Sequence, residues 1–96
     1  MHYLLKMFLF ELLKHLKNLE SSDFPDIIPQ LRPLMHTICL VYSNSKFYNS
    51  PARIIVLMTE SCNLLIGIGR KYLDPGSIFQ VTYIGTLLDP SFWEFS

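Results

Sequence analysis

Between positions 3 and 19, apolar residues recur so densely that they cover most of a helix circumference, leaving Lys6, Lys14, Lys17 and Glu20 as a narrow wet stripe. Such a helix seeks neighbours on more than one side. Ser21-Ser22-Asp23 supplies turn chemistry and Pro25 blocks continuation, so the helix ends there. Pro25, Pro29 and Pro33 break up the next stretch. Because the first helical turn tolerates a missing N–H, a second helix is expected to start around Pro29 to Pro33. Its Leu31, Leu34, Met35, Ile38, Val41 and Tyr42 follow the i, i+3, i+4, i+7 template. Ser50 reads as an N-cap with Pro51 at the first helical position. A third helix is expected over 51–73, with Ile54, Met58, Cys62, Leu65, Ile66, Gly69 and Leu73 on one face. Arg70 and Lys71 suit the negative pole of its dipole, and Asp74-Pro75-Gly76 stops it.

After Gln80 the pattern changes. Residues 81–86 are β-branched with no helical spacing, and Phe92, Trp93 and Phe95 crowd the end of the chain. The expected architecture is therefore all-α: about three helices in an antiparallel bundle, followed by an irregular tail that packs onto them or is poorly ordered.

Composition narrows the functional classes. The chain has 96 residues, half hydrophobic and 17% charged, and eight Lys+Arg balance eight Asp+Glu. One small domain of this length buries roughly 60–65% of its unfolded surface, which leaves little room for chemistry on a large cofactor. Zero net charge without a block of like charges removes the field that holds nucleic acid. The apolar half is too large for intrinsic disorder. Lys6 and Glu11 interrupt the first apolar run and no small-residue cleavage site follows it, which argues against a signal peptide. With no long uncharged apolar run, a membrane-spanning segment is not expected. Two cysteines, Cys39 and Cys62, make no disulfide framework, and a reducing compartment suits them.

Candidate chemistry is sparse. His36 and Cys39 lie one turn apart and Cys62 could approach them, but apolar flanks mark both cysteines as structural rather than as zinc ligands or a nucleophile. Gly67-Ile68-Gly69 follows no strand, so close helix packing explains it better than a phosphate cradle. No Gly-x-x-x-x-Gly-Lys-Ser/Thr occurs, so nucleotide hydrolysis is not expected, and no residue stands out as catalytic, cofactor-binding or metal-ligating. Leu9-Phe10-Glu11-Leu12-Leu13 fits the Leu-x-x-Leu-Leu pattern of groove-binding helices, which core packing also produces. The first helix could instead lie on a membrane surface, although its three lysines, offset by Glu11 and Glu20, make a poor cationic face.

The helix–loop–helix over 33–73 carries one longer likeness. Its Ser45, Tyr48, Asn49 and Arg53, with Ser50 and Pro51 between, followed by Glu60, Cys62, Asn63 and Ile66, resemble a stretch in the N-terminal tail of dynein heavy chains, nearest the axonemal type. The likeness spans roughly residues 12–80. It implies a non-catalytic helical tail segment in a microtubule motor complex of the cytoskeleton and ciliary axoneme. It further implies intermediate chains, light intermediate chains and other heavy-chain tail segments as partners. The family's ATPase motor ring lies far downstream of such a segment. The resemblance divides the chain into a tail-like segment, 1–80, and a non-matching extension, 81–96, as in a truncated or alternatively spliced product. From the residues alone, the Ser45–Arg53 element fixes an αα-corner: Tyr48 wedges between helices, Asn49 satisfies free backbone groups, and Arg53 bonds across the turn.

Overall fold

The computed structural model describes residues 2–21, 27–44 and 47–88. Four α-helices, α1 (His2–Glu20), α2 (Ile27–Ser43), α3 (Ala52–Tyr72) and α4 (Phe79–Leu88), are joined by 3₁₀ turns at Phe47–Asn49 and Pro75–Ile78. No strand occurs among the described residues. The all-α expectation holds, with four helices rather than three.

Helix α3 is the centre of the molecule and packs against α1, α2 and α4. Its buried residues Ile54, Met58, Ser61, Cys62, Leu65, Ile66, Ile68 and Gly69 cover well over one face, as a helix with neighbours on several sides requires. The buried Ser61 hydroxyl donates to the Leu57 carbonyl at 2.9 Å, so it brings no unsatisfied polar atom into the core. By length and a mean hydropathy of 1.4, α3 is long and apolar enough to cross a membrane, which the lack of an uncharged run had argued against. Three helices pack against it, and 44% of its apolar stretch is buried inside the molecule.

Helix α1 lies along α3 and uses one seam to do so. Leu9, Leu12, Leu13, Leu16 and Leu19 are buried, each contributing roughly 1.5–3 kcal/mol of gross apolar transfer. Helix α2 begins at Ile27, earlier than the prolines suggested. Burial of Ile27 draws the first turn forward, and Pro29 falls in that turn, where its missing N–H has no helical partner to lose. Pro33 lies inside the helix, so the Pro29 carbonyl loses its helical donor, and Leu31, Met35 and Ile38 hold the segment helical by burial.

Helix α4 corrects the expectation of an irregular segment after Gln80. Val81, Ile84 and Gly85 are buried and Leu88 is half-buried, an i, i+3, i+4, i+7 stripe laid against α3 and α2. The helical penalty of β-branched residues is a few tenths of a kcal/mol each, and burial outweighs it. The Thr82 hydroxyl bonds the Ile78 carbonyl at 2.9 Å, so its polar group stays within the helix. The remaining tail residues, Phe92, Trp93 and Phe95 among them, lie outside the described residues.

The Gly67/Gly69 pair divides in two. A Cβ on Gly69 would stand 2.5 Å from Ile78 Cγ2, so the turn before α4 approaches α3 where no side chain fits. Gly67 faces open space, and packing does not explain it.

The molecule is 36 × 32 × 19 Å. Every helix keeps an open side; on α3 it is the stripe Arg53, Val56, Glu60, Asn63, Gly67 and Arg70.

Candidate functional site

The open sides are where the candidate chemistry lies. On α1, Tyr3, Leu4, Met7, Phe8 and Phe10 are exposed, Leu4 by 72% and Tyr3 by 69%, opposite the leucine seam. On α4, Phe79, Tyr83 and Leu87 form an exposed row at four-residue spacing. The α1 face is the larger, and it turns polar after Phe10, where Glu11, Lys14, His15, Lys17 and Asn18 are exposed.

A cleft of about 220 Å³ opens at the start of α1, lined by Tyr3, Lys6, Pro51, Arg53 and Ile54. The N-terminal ends of α1 and α3 therefore lie together, bringing two positive helix poles and two cations to one end of the molecule. A second cleft, about 410 Å³, lies between α3 and α4 and is lined by Arg70, Leu73, Pro75, Ile78, Phe79 and Thr82.

The corner residues are placed as follows. Ser45 and the Tyr48 side chain lie outside the described residues. Asn49 is exposed in the 3₁₀ turn, and the Ser50 N–H donates to the Phe47 carbonyl at 3.0 Å. The cap of α3 is Pro51, in extended conformation, and not Ser50; the carbonyl of Pro51 accepts the first helical bonds, from Ile54 and Ile55. Arg53 bonds no described residue across the turn and lines the α1 cleft instead. Phe47 is buried at the corner, its ring 5.8 Å from that of Tyr42 at a tilt of 49°. Sequence reasoning passed over Phe47 because a turn carries no period from which burial can be read.

The family model described as dynein heavy chain, N-terminal region 1, matches residues 5–88, from α1 to the end of α4. The chain belongs to the dynein heavy chain family. The ciliary dynein beta chain of Tripneustes gratilla is 47% identical over 74 residues, 77% of this chain and 2% of that protein. Dynein axonemal heavy chain 11 of Sus scrofa is 48% identical over 75 residues, 78% of this chain and 2% of that protein. The flagellar outer arm dynein beta chain of Chlamydomonas reinhardtii is 45% identical over 75 residues, 77% of this chain and again 2% of its own length. The chain thus spans about 2% of the length of the curated relatives it matches. No solved structure matches it.

The region of the dynein heavy chain matched is N-terminal, and the family's ATPase motor domain is not part of the match. The two thiols of this dynein segment sit in contrasting places. Cys39, half-buried on α2, donates its weak S–H toward Gln80 Oε1 on α4 at 3.7 Å. Cys62 is buried on α3, and burial, with a smaller contribution from nearby Cys39, pushes its pKa up to about 12. A thiol held protonated in this way is a poor nucleophile and a poor metal ligand. Among the described residues, no group of three or more His, Cys, Asp or Glu side chains could hold a metal ion.

Proposed function

We propose that this chain is a non-catalytic assembly segment of an axonemal-type dynein heavy chain tail. Its open helix faces pack against neighbouring tail helices and against intermediate and light intermediate chains, in the cytoplasm and the ciliary axoneme. The observation that carries the reading is the exposed apolar face of α1 on a chain of this family: Tyr3, Leu4, Met7, Phe8 and Phe10 form a contiguous hydrophobic surface of the kind that marks a protein interaction site. The ciliary and flagellar names of the relatives support the location. In the same reading Ser45, Tyr48, Asn49, Ser50, Pro51 and Arg53 act structurally, holding the angle between α2 and α3 so that the faces are presented together. The tail-like part runs past Gln80 at least to residue 88, because the family match and α4 both continue to that point.

The test is capture of a dynein intermediate chain by a longer heavy-chain tail that contains this segment, with and without Leu4→Glu and Phe8→Glu. Loss of capture in the variant, with unchanged circular dichroism, is the expected result. Undiminished capture would remove the α1 face from the assembly, and binding to anionic vesicles in place of protein would give α1 to a membrane surface.

A further inference from the structure

The outer flank of α1 carries more than apolar surface. Tyr3, Lys6, Phe10, Lys14 and Lys17 recur at three- and four-residue spacing and form one stripe that climbs about 21 Å along the helix at 1.5 Å per residue. At its start the stripe meets Arg53 of α3, and the cleft between them contains two cations and no acid. Neither Lys6 nor Arg53 has an ion-pair partner among the described residues. Three acids border the stripe. Glu11 lies on the outer side of α1, Glu20 closes the far end beyond Lys17, and Glu60 follows Arg53 two turns along α3. All three stand away from the Tyr3–Lys6–Arg53 end, so positive charge is concentrated there beside the exposed Tyr3, Met7 and Phe10.

We infer that this flank of α1 docks an acidic amphipathic helix of a partner polypeptide. The partner's apolar row lies on Tyr3, Met7 and Phe10, at i, i+4, i+7 spacing, and one of its carboxylates sits between Lys6 and Arg53. The inference rests on the assembly reading and adds to it the chemistry of the occupant. Charge complementarity selects an acidic partner over a neutral one, and apolar contact supplies the affinity. Lys6 and Arg53 come from different helices and flank a concave cleft, which suits a projecting carboxylate side chain better than a flat layer of lipid headgroups.

Two labelled peptides of equal length test this, sharing one leucine row and carrying either Glu or Lys on its flanks. Fluorescence anisotropy against the whole chain should show the Glu peptide binding at least about tenfold tighter than the Lys peptide, by an amount that shrinks as salt is added. The Lys6→Glu/Arg53→Glu variant, checked by circular dichroism for an unchanged fold, should reverse the preference. Equal binding of the two peptides, or a preference that survives the double substitution, overturns the proposal. So does a dimer in sedimentation that the same variant dissolves, which would assign the face to a second copy. Capture by phosphatidylserine vesicles without peptide binding would assign it to lipid and equally overturn it. If intermediate-chain capture depends on Leu4 and Phe8 while the peptides show no charge preference, the assembly reading stands and this one alone falls.

Discussion

Gly67 and Gly69 lie two residues apart in one helix, and the structure gives alanine opposite effects at the two positions. At Gly67 an added Cβ meets nothing within 4 Å. Alanine there gains the helix propensity that glycine forfeits, about 0.8–1 kcal/mol. In a domain of this size that raises Tm by roughly 4–8 °C. At Gly69 the same Cβ stands 2.5 Å from Ile78 Cγ2, with Ile78 Cβ at 3.6 Å and Cδ1 at 3.8 Å. The obstructing methyl is attached directly to Cβ of a buried residue, so relief requires the 3₁₀ turn to move off α3. Overpacking of this kind costs about 1–3 kcal/mol, which cancels or exceeds the propensity gain. Thermal and urea unfolding followed by far-UV circular dichroism should therefore find Gly67→Ala stabilised and Gly69→Ala unchanged or destabilised by up to about 2 kcal/mol. A third variant isolates the cause. Ile78→Ala alone should cost about 2–5 kcal/mol, and adding Gly69→Ala to it should then be favourable, a coupling of about 1–3 kcal/mol. If Gly69→Ala stabilises the native chain as much as Gly67→Ala does, or is as harmful with Ile78 removed, the close approach of the α4 turn to α3 is refuted.

Other expectations address the core, the thiols and the turn before α4. Leu9→Ala empties a site with no exposure and should lower urea stability by about 2–5 kcal/mol, whereas Leu4→Ala on the same helix should stay within about 0.5 kcal/mol; equal losses would mean that the α1 outer face is not open. Because the folded pKa of Cys62, about 12, lies above its ordinary 9.0, its contribution to stability is full below pH 9 and declines as pH rises through that window. At pH 10 the loss is about 1.4 kcal/mol, so the urea midpoint of the native chain should fall between pH 8 and pH 10 by more than that of Cys62→Ala, and identical pH profiles would contradict the buried thiol. The Ser77 hydroxyl donates to Asp74 Oδ1 at 2.6 Å and holds that carboxyl below its ordinary 3.8, helped to a lesser degree by Arg32. The turn is therefore stabilised above that range and loses the contribution as pH falls through the folded value. Ser77→Ala should move the Asp74 titration, followed by carboxyl NMR shifts, toward the ordinary value.

Three of the four helices were legible because their apolar residues recur at helical spacing between strong stop signals. Asp74-Pro75-Gly76 and the proline-broken stretch after Ser21 were both visible as breaks. The start of α2 was missed because proline rules describe what a backbone tolerates, whereas burial of Ile27 decides where the first turn is held. Helix α4 was missed for a related reason. Val81, Thr82, Ile84 and Thr86 satisfy strand propensity residue by residue, and only the α2–α3 surface beneath Val81, Ile84 and Gly85 turns their spacing into a helical stripe. Local preference of a few tenths of a kcal/mol per residue gives way to tertiary burial whenever such a surface is available.

The candidate site was half legible, and the missing half follows from the thinness of the molecule. The density of apolar residues on α1 implied neighbours on more than one side, but periodicity does not count neighbours. Leu9, Leu12, Leu16 and Leu19 fill the seam against α3, which leaves Tyr3, Leu4, Met7, Phe8 and Phe10 exposed in a body 19 Å thick. Lys6 was read as part of a solvated stripe. It acquires a different meaning only when α3 starts beside it and brings Arg53 to the same cleft, a juxtaposition of residues 47 positions apart that no local pattern encodes. What the sequence shows as an excess of hydrophobic residues with balanced charge, the fold sorts into a closed seam and an open flank whose cations gather at one end. That sorting turns a general expectation of helix packing into a surface with a direction and a sign.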